Sequence, residues 1–295
     1  MKKIKIYILS LMVMVFSIFA LGCSSSPEKS VENAIKKNAE IKYCKQDSDI
    51  KIGVLGLDVN IKASGEIDSK NKTAIIKLNV NSPIAEINNL ATDVYLDKNN
   101  LFIKDIESDN FIKLTVPEEE AKKSSSGVIS SKIIETLKQD EEFNKSLKIE
   151  NKDSDKVISA KISDETMNKL INKLFESEEF MNTLKNSAET QFSSMAEISN
   201  QNKSKDEIKN IAKQEAEKEI EKYKEQIKNI KVQDVTYNGK INKEGYLSEE
   251  NISFNIKEES LGLTLSIKVN SVISDINKDK TIKIPEIPKD KITDL

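Results

Sequence analysis

A chain whose side chains alternate apolar and polar at every second position is committed to strands with one dry and one wet face, and this sequence does so in two separated blocks. In "VLGLDVNIKASG" the odd positions Leu55, Leu57, Val59, Ile61 and Ala63 are apolar, with Gly56, Asp58, Asn60, Lys62 and Ser64 between them. After the polar turn "DSKNK", Ala74, Ile76, Leu78 and Val80 alternate with Ile75, Lys77, Asn79 and Asn81. Far along the chain Ile252, Phe254 and Ile256 share a face, followed by Leu261, Leu263, Leu265, Ile267 and Val269. A period of two with one solvated face predicts antiparallel strands. "ATDVYLDKNNLFIKD" predicts a hairpin turning at Asp97–Asn100, and "NFIKLTV" a strand ended by Pro117. The closing "TIKIPEIPKD" reads as an edge-like segment whose prolines resist further pairing.

Elsewhere the period lengthens. Val31, Ala34, Ile35 and Ala39 recur at helical spacing behind Ser26, an N-cap residue, and Pro27, suited to the first helical position. This predicts an amphipathic helix over 27–42, with Cys44 near its end as a half-buried structural thiol. Residues 118–231 read as mostly helical: a short helix marked by Val128, Ile129, Ile133, Ile134 and Leu137, a strand at "KVISAKIS", and a helix carrying Met167, Leu170, Ile171, Leu174 and Phe175. The most strongly patterned helix covers 203–230, where Ala216, Ile220, Tyr223, Ile227 and Ile230 form a seam and Glu–Lys pairs flank it. Strands, then helices, then strands predict an α+β fold. The economical arrangement is a curved antiparallel β-sheet (half-barrel) covering a layer of helices, with an extended central helical segment.

The N-terminus carries an address. Lys2, Lys3 and Lys5 precede the apolar run Ile6–Leu21, about 24 Å as a helix, which suits a signal-peptide core better than a membrane span. The run ends in Ala20-Leu21-Gly22-Cys23, which resembles a bacterial lipobox. The resemblance implies a signal peptide over 1–22, lipid attachment at Cys23, a tether over 23–26, and a single domain over 27–295 on the extracytoplasmic face of the membrane. An uncleaved anchor with an incidental cysteine is the other reading of the same residues. Cleavage removes three of the 46 basic residues and no acid, leaving 43 against 49, a net charge of −6 that does not favour a nucleic-acid partner.

Composition narrows the chemistry further. The sequence contains no His, and every one of its basic residues is Lys. Ser–His, Cys–His and His–metal constellations are thereby excluded, as are bidentate Arg clamps on phosphate. Ser-x-x-Lys occurs at Ser26/Lys29, Ser48/Lys51 and Ser69/Lys72, which chance produces at this abundance of Ser and Lys. "DKNNLFIKDIE" lacks the Gly and Glu that a calcium loop needs, having Phe102 and Ser108 in those places. Glu118–Glu120 beside Lys122 and Lys123 reads as a solvated loop. No catalytic site, metal or cofactor is implied.

The anchor, the meander "VYLDKNNLFIK…DNFIKLTV", the central helices and the closing "KVNSVISDINKDKTIKIPEIP" together resemble the LolA-type lipoprotein carriers and the LppX/LprG-type lipoproteins. The resemblance implies a non-enzymatic carrier in which sheet and helices enclose an apolar, lipid-holding cavity. Leu57, Val59, Ile61, Ala74, Ile76, Leu78, Phe254, Leu263, Leu265 and Ile267 would line it. The other reading of these faces is a filled core, in a protein that acts by interaction during cell-envelope or spore assembly.

Overall fold

The computed structural model describes residues 27–83, 88–105, 108–115, 141–178, scattered positions between 181 and 193, 204–227, 229–259 and 262–294. Its strands are β1 (Tyr43–Val54), β2 (Leu57–Asp68), β3 (Thr73–Asn81), β4 (Leu90–Asp97), β5 (Asn100–Lys104), β6 (Phe111–Thr115), β7 (Lys148–Lys152), β8 (Asp155–Ile162), β9 (Ile230–Ile241), β10 (Leu247–Glu258), β11 (Leu263–Ser274) and β12 (Ile292–Asp294). The named α-helices among the described residues are α1 (Pro27–Ala39), α2 (Glu141–Ser146), α3 (Asp164–Glu176) and α4 (Lys205–Ile227). All these strands join one open, curved sheet in the order β12-β6-β5-β4-β3-β2-β1-β11-β10-β9-β8-β7. Every pairing is antiparallel except β12 with β6.

Register puts the apolar alternation of neighbouring strands on one side. Ile52 stands opposite Val59 and Ile267, and Ile50 opposite Ile61 and Val269. Ile76 faces Val94, Val94 faces Ile103, and Ile103 faces Ile112. A one-residue slip in any of these pairings would turn a whole strand's apolar set into water, so burial of this inner face fixes the register. The outer face carries Lys51, Asp58, Lys62, Lys77, Lys257 and Lys268 in the alternate positions.

Two helices are clipped to the sheet by asparagines. Asn38 at the end of α1 donates to the carbonyl of Leu247 at 2.8 Å and accepts its amide at 3.0 Å. Asn168 on α3 does the same to Val232, both bonds at 3.1 Å. Each clip satisfies a strand backbone where β9 or β10 begins, so helix and sheet share one hydrogen-bond account. Beneath them Val31 and Ala34 of α1, Phe143 of α2 and Leu170 of α3 pack on Ile158, Ala160, Ile241 and Leu247 as one core cluster. A second cluster, Ile50, Val59, Ile61, Ile267 and Val269, lies in the middle of the sheet.

The C-terminal segment ties the outer face. The amide of Asn277 donates to the carbonyl of Tyr43 at 2.7 Å, and Lys280 lies 5.9 Å from the Tyr43 ring centre. The chain then reaches β6, where Ile292 pairs with Phe111. Between these points Pro285 and Pro288 keep the segment out of any strand.

Several expectations are corrected. The alternating run through Leu55–Ala63 is not one strand: Leu55 and Gly56 form a turn, and the residues before it are β1, whose polar "KQDSD" hid its period. Cys44 therefore lies in β1, buried, and not at a helix end. The helix before it stops at Ala39. Within 118–231 the structure has two strands, β7 and β8, where one was expected. Ile230 belongs to β9 and not to the helical seam. The helix expected around Val128–Leu137 falls outside the described residues. Among the described residues no helix is long and apolar enough to cross a membrane.

The α4 helix is started by a reciprocal cap. Glu207 accepts from the Ser204 amide at 2.9 Å while its own amide donates to the Ser204 hydroxyl at 3.3 Å. Ile208, Ala212, Ala216 and Ile220 are buried at spacings of four, and Lys218 pairs with Glu215 at 2.7 Å on the wet side. Ile220→Asp should therefore lower stability by about 2–4 kcal/mol, because a charge enters a buried apolar seam. Lys218→Asp should melt near wild type. Equal thermal melts for the two variants would contradict a packed seam.

Candidate functional site

The ten apolar residues singled out in the sequence all lie on the inner face, but in three different settings. Val59, Ile61 and Ile267 are sealed inside the central cluster, with Phe254 packed against it. Ala74 is buried on β3, while Ile76 and Leu78 are half-buried beside it. Leu263 and Leu265 are half-buried near the β10–β11 turn, and Leu57 is exposed at the β1–β2 turn. The structure thus brings them onto one surface.

The flank beyond β3, from β4 to β6, is the part of this surface that the sequence reading missed. Leu90, Val94 and Leu96 on β4, Leu101 and Ile103 on β5, and Ile112 and Leu114 on β6 continue the inner face, and every one of them is half-buried. Their signal was legible, since Leu90, Val94 and Leu96 keep the same period of two. These residues extend the apolar inner face beyond the central cluster as far as β6.

A polar row crosses the inner face between the central cluster and the end where α1 sits. Gly239, Glu250, Ser271, Ser48 and Ala63 occupy one register line on β9, β10, β11, β1 and β2. Gln46 donates to the Ser271 hydroxyl at 3.1 Å, and the Ser48 and Ser271 hydroxyls are 3.2 Å apart. Glu250 is only 7 % exposed and accepts from the Tyr237 hydroxyl at 3.2 Å. Gly239 leaves room for that contact: a Cβ there would come within 2.7 Å of the Tyr237 oxygen. Burial without a neighbouring cation pushes the Glu250 carboxyl up to about 7, against the weaker opposing effect of the Tyr237 bond. Extending the period of Ile252, Phe254 and Ile256 back by two residues would have placed Glu250 on the apolar face.

Other polar features belong to the outer surface. An open cleft of about 610 Å³ is bordered by Lys77, Asn79, Asp93, Lys104 and Asp109. A smaller one of about 300 Å³ lies at Asp155, Lys240 and Glu249, where Lys240 bridges Asp155 at 3.2 Å and Glu249 at 3.0 Å. Cys44 is buried on the inner face and burial raises its thiol pKa, which suits a structural residue more than a reactive one.

Glu250 sets a pH dependence of stability. Because its folded pKa lies above its unfolded value, its contribution is complete below about pH 4.5 and is lost as pH rises through about 7. The loss amounts to about 3 kcal/mol. Glu250→Gln keeps the shape and removes the charge, so it should match wild type at pH 4.5 and be the more stable protein at pH 8. Denaturant melts at both values check this; a variant less stable than wild type at pH 8 would contradict it.

Among solved structures the chain is similar to the Mycobacterium tuberculosis lipoprotein LppX, at 9 % identity over 86 % of this chain and 96 % of that one, with a TM-score of 0.37. It is similar to LprF from Mycobacterium bovis at 9 % identity over 90 % and 99 %, TM-score 0.37. A DUF1329 family protein from Desulfovibrio piger is similar at 8 % identity over 88 % and 96 %, TM-score 0.24. No curated protein matches the sequence. A family model matches residues 26–199 and again 178–292, beginning just after the lipobox-like segment. The chain belongs to that family, described as a family of unknown function (DUF6612).

Proposed function

We propose that this protein is a non-enzymatic, membrane-anchored extracytoplasmic lipoprotein that holds a lipid or another apolar envelope molecule against the inner face of its sheet. The observation that carries the reading is the β3–β6 flank, where Val94, Leu96, Leu101, Ile103, Ile112 and Leu114 form a half-buried apolar surface continuous with a closed core. An acyl chain laid along it gains roughly 0.8 kcal/mol per buried CH₂, before the loss of chain freedom is subtracted. The lipobox-like Ala20-Leu21-Gly22-Cys23 supports attachment to the membrane through lipid on Cys23. One observation favours a second reading: the central cluster is sealed, with Ile61, Ile267 and Val269 each 1 % exposed. A closed core suits a cell-envelope or spore-assembly interaction protein that holds no small ligand.

The chain from Ser24 onward retains every described residue, and it should purify with near-stoichiometric lipid detectable by native mass spectrometry. Val94→Asp places a charge on the half-buried flank and should lower bound lipid about tenfold or more. Lipid-free wild type would retire the carrier reading in favour of the interaction protein. For the anchor, Cys23→Ser should abolish incorporation of radiolabelled palmitate and leave the precursor uncleaved. Membrane-bound wild type that takes up no label would contradict attachment at Cys23.

A further inference from the structure

The β1–β2 turn holds a residue that is unfavourable twice over. Leu55 has a φ of 50° and Gly56 a φ of 80°, the geometry of a two-residue hairpin turn whose first position favours Asn or Asp. A leucine in the left-handed region is strained by its side chain. Leu55 is also 82 % exposed, and Leu57 beside it is 44 % exposed. Neither strain nor exposure serves the fold, since an Asn-Gly turn would relieve both.

The adjoining hairpin carries the same short sequence. Leu261-Gly262-Leu263 has the same tripeptide as Leu55-Gly56-Leu57, and Gly262 has a φ of 62°. Val54 pairs with both Leu57 and Leu265, so the β1–β2 and β10–β11 hairpins end side by side. The line Leu57, Val54, Leu265 and Ile256 runs directly into the central apolar cluster, in which Ile52 and Phe254 lie one step further in. The tip is therefore the exposed end of the inner face.

We propose that this hairpin tip, with Leu55 and Leu57 at its apex, enters the acyl region of a lipid bilayer. The proposal rests on the lipid-binding reading for what insertion achieves, namely bringing the inner face to its ligand, but insertion itself is separately testable. A few leucines fall far short of the roughly 800 Å² per partner that a stable protein interface buries. A bilayer needs no matching surface. At the base of this hairpin Lys51 meets Asp58 at 2.7 Å, and the neighbouring hairpin end carries Glu258 and Glu259, so insertion does not draw on anionic lipid.

The tip also sets an orientation. Ser30 of α1 bonds Lys156 at 3.1 Å, and Lys156 pairs with Ile241, at the end of the sheet opposite the tip. The twelve residues of β1 separate the two ends by about 40 Å. A chain held at Cys23 and inserted at Leu55 therefore lies along the membrane and does not stand upright on it.

The sequence contains no Trp, so Leu55→Trp in the chain from Ser24 is a clean reporter. With phosphatidylcholine vesicles its emission should shift to the blue and be quenched by brominated acyl chains. Val272→Trp, on the outer face where Val272 is 44 % exposed, should show neither. Leu55→Asp should weaken vesicle binding about tenfold. Circular dichroism melts confirm that each variant is folded, and Leu57→Trp replaces Leu55→Trp if the latter is not. A folded reporter with unshifted emission overturns the proposal, even where the protein still carries lipid. A shifted reporter on a protein that never carries lipid upholds the tip and overturns the carrier reading.

Discussion

Register across the sheet is the constraint on which everything else depends. Each antiparallel pairing from β7 to β6 keeps the same set of side chains on one side, so that Ile158, Ile252, Val269, Ile50, Ile61, Val80 and Val94 belong to a single surface. A sheet this wide cannot bury such a face against itself. Helices α1, α2 and α3 cover it toward β8 and β10, while the β3–β6 flank stays half-buried. The functional reading follows from that asymmetry.

Polar groups on the dry side are few and placed with purpose. The asparagine clips at Leu247 and Val232 meet strand backbone and so stabilise helix docking without burying an unpaired donor. Ser48, Ser271 and Gln46 bond to one another. Glu250 has Tyr237 as a neutral hydrogen-bond partner, and it makes the core sensitive to pH in the range where its proton is lost. On the outer face the opposite economy holds: many lysines and acids pair in water, where each pair contributes little, and the C-terminal segment runs across them to add β12 at the far edge.

How far the sequence could be read depended on how cleanly each element showed its period. β2, β3, the Ile252–Ile256 stretch of β10 and the Leu263–Val269 stretch of β11 alternate clearly and were legible, as were the Asp97–Asn100 hairpin and α3. β1 was missed because Gln46 and Ser48 take inner-face positions as polar residues, so its alternation vanishes just where the buried polar row crosses it. β7, "KIENK", is a short edge strand with a single apolar inward residue, Ile149, too little for a pattern. Of the candidate site, the face was legible but its division was not. Whether Val59 is sealed and Leu57 exposed depends on which element covers each, and periodicity carries no information about that. Glu250 was hidden by its charge, although its spacing from Ile252 and Phe254 placed it on the dry side.

The central claim is that lipid occupies the half-buried β3–β6 flank and leaves the helix-covered side of the same face untouched. Backbone hydrogen exchange, followed by mass spectrometry on delipidated and lipid-loaded protein, tests this most directly. The account predicts slower exchange on loading in β4, β5 and β6, with β8 and β9 unchanged. Equal exchange in β4–β6 with and without lipid, or protection appearing instead at β8 and β9, would contradict it.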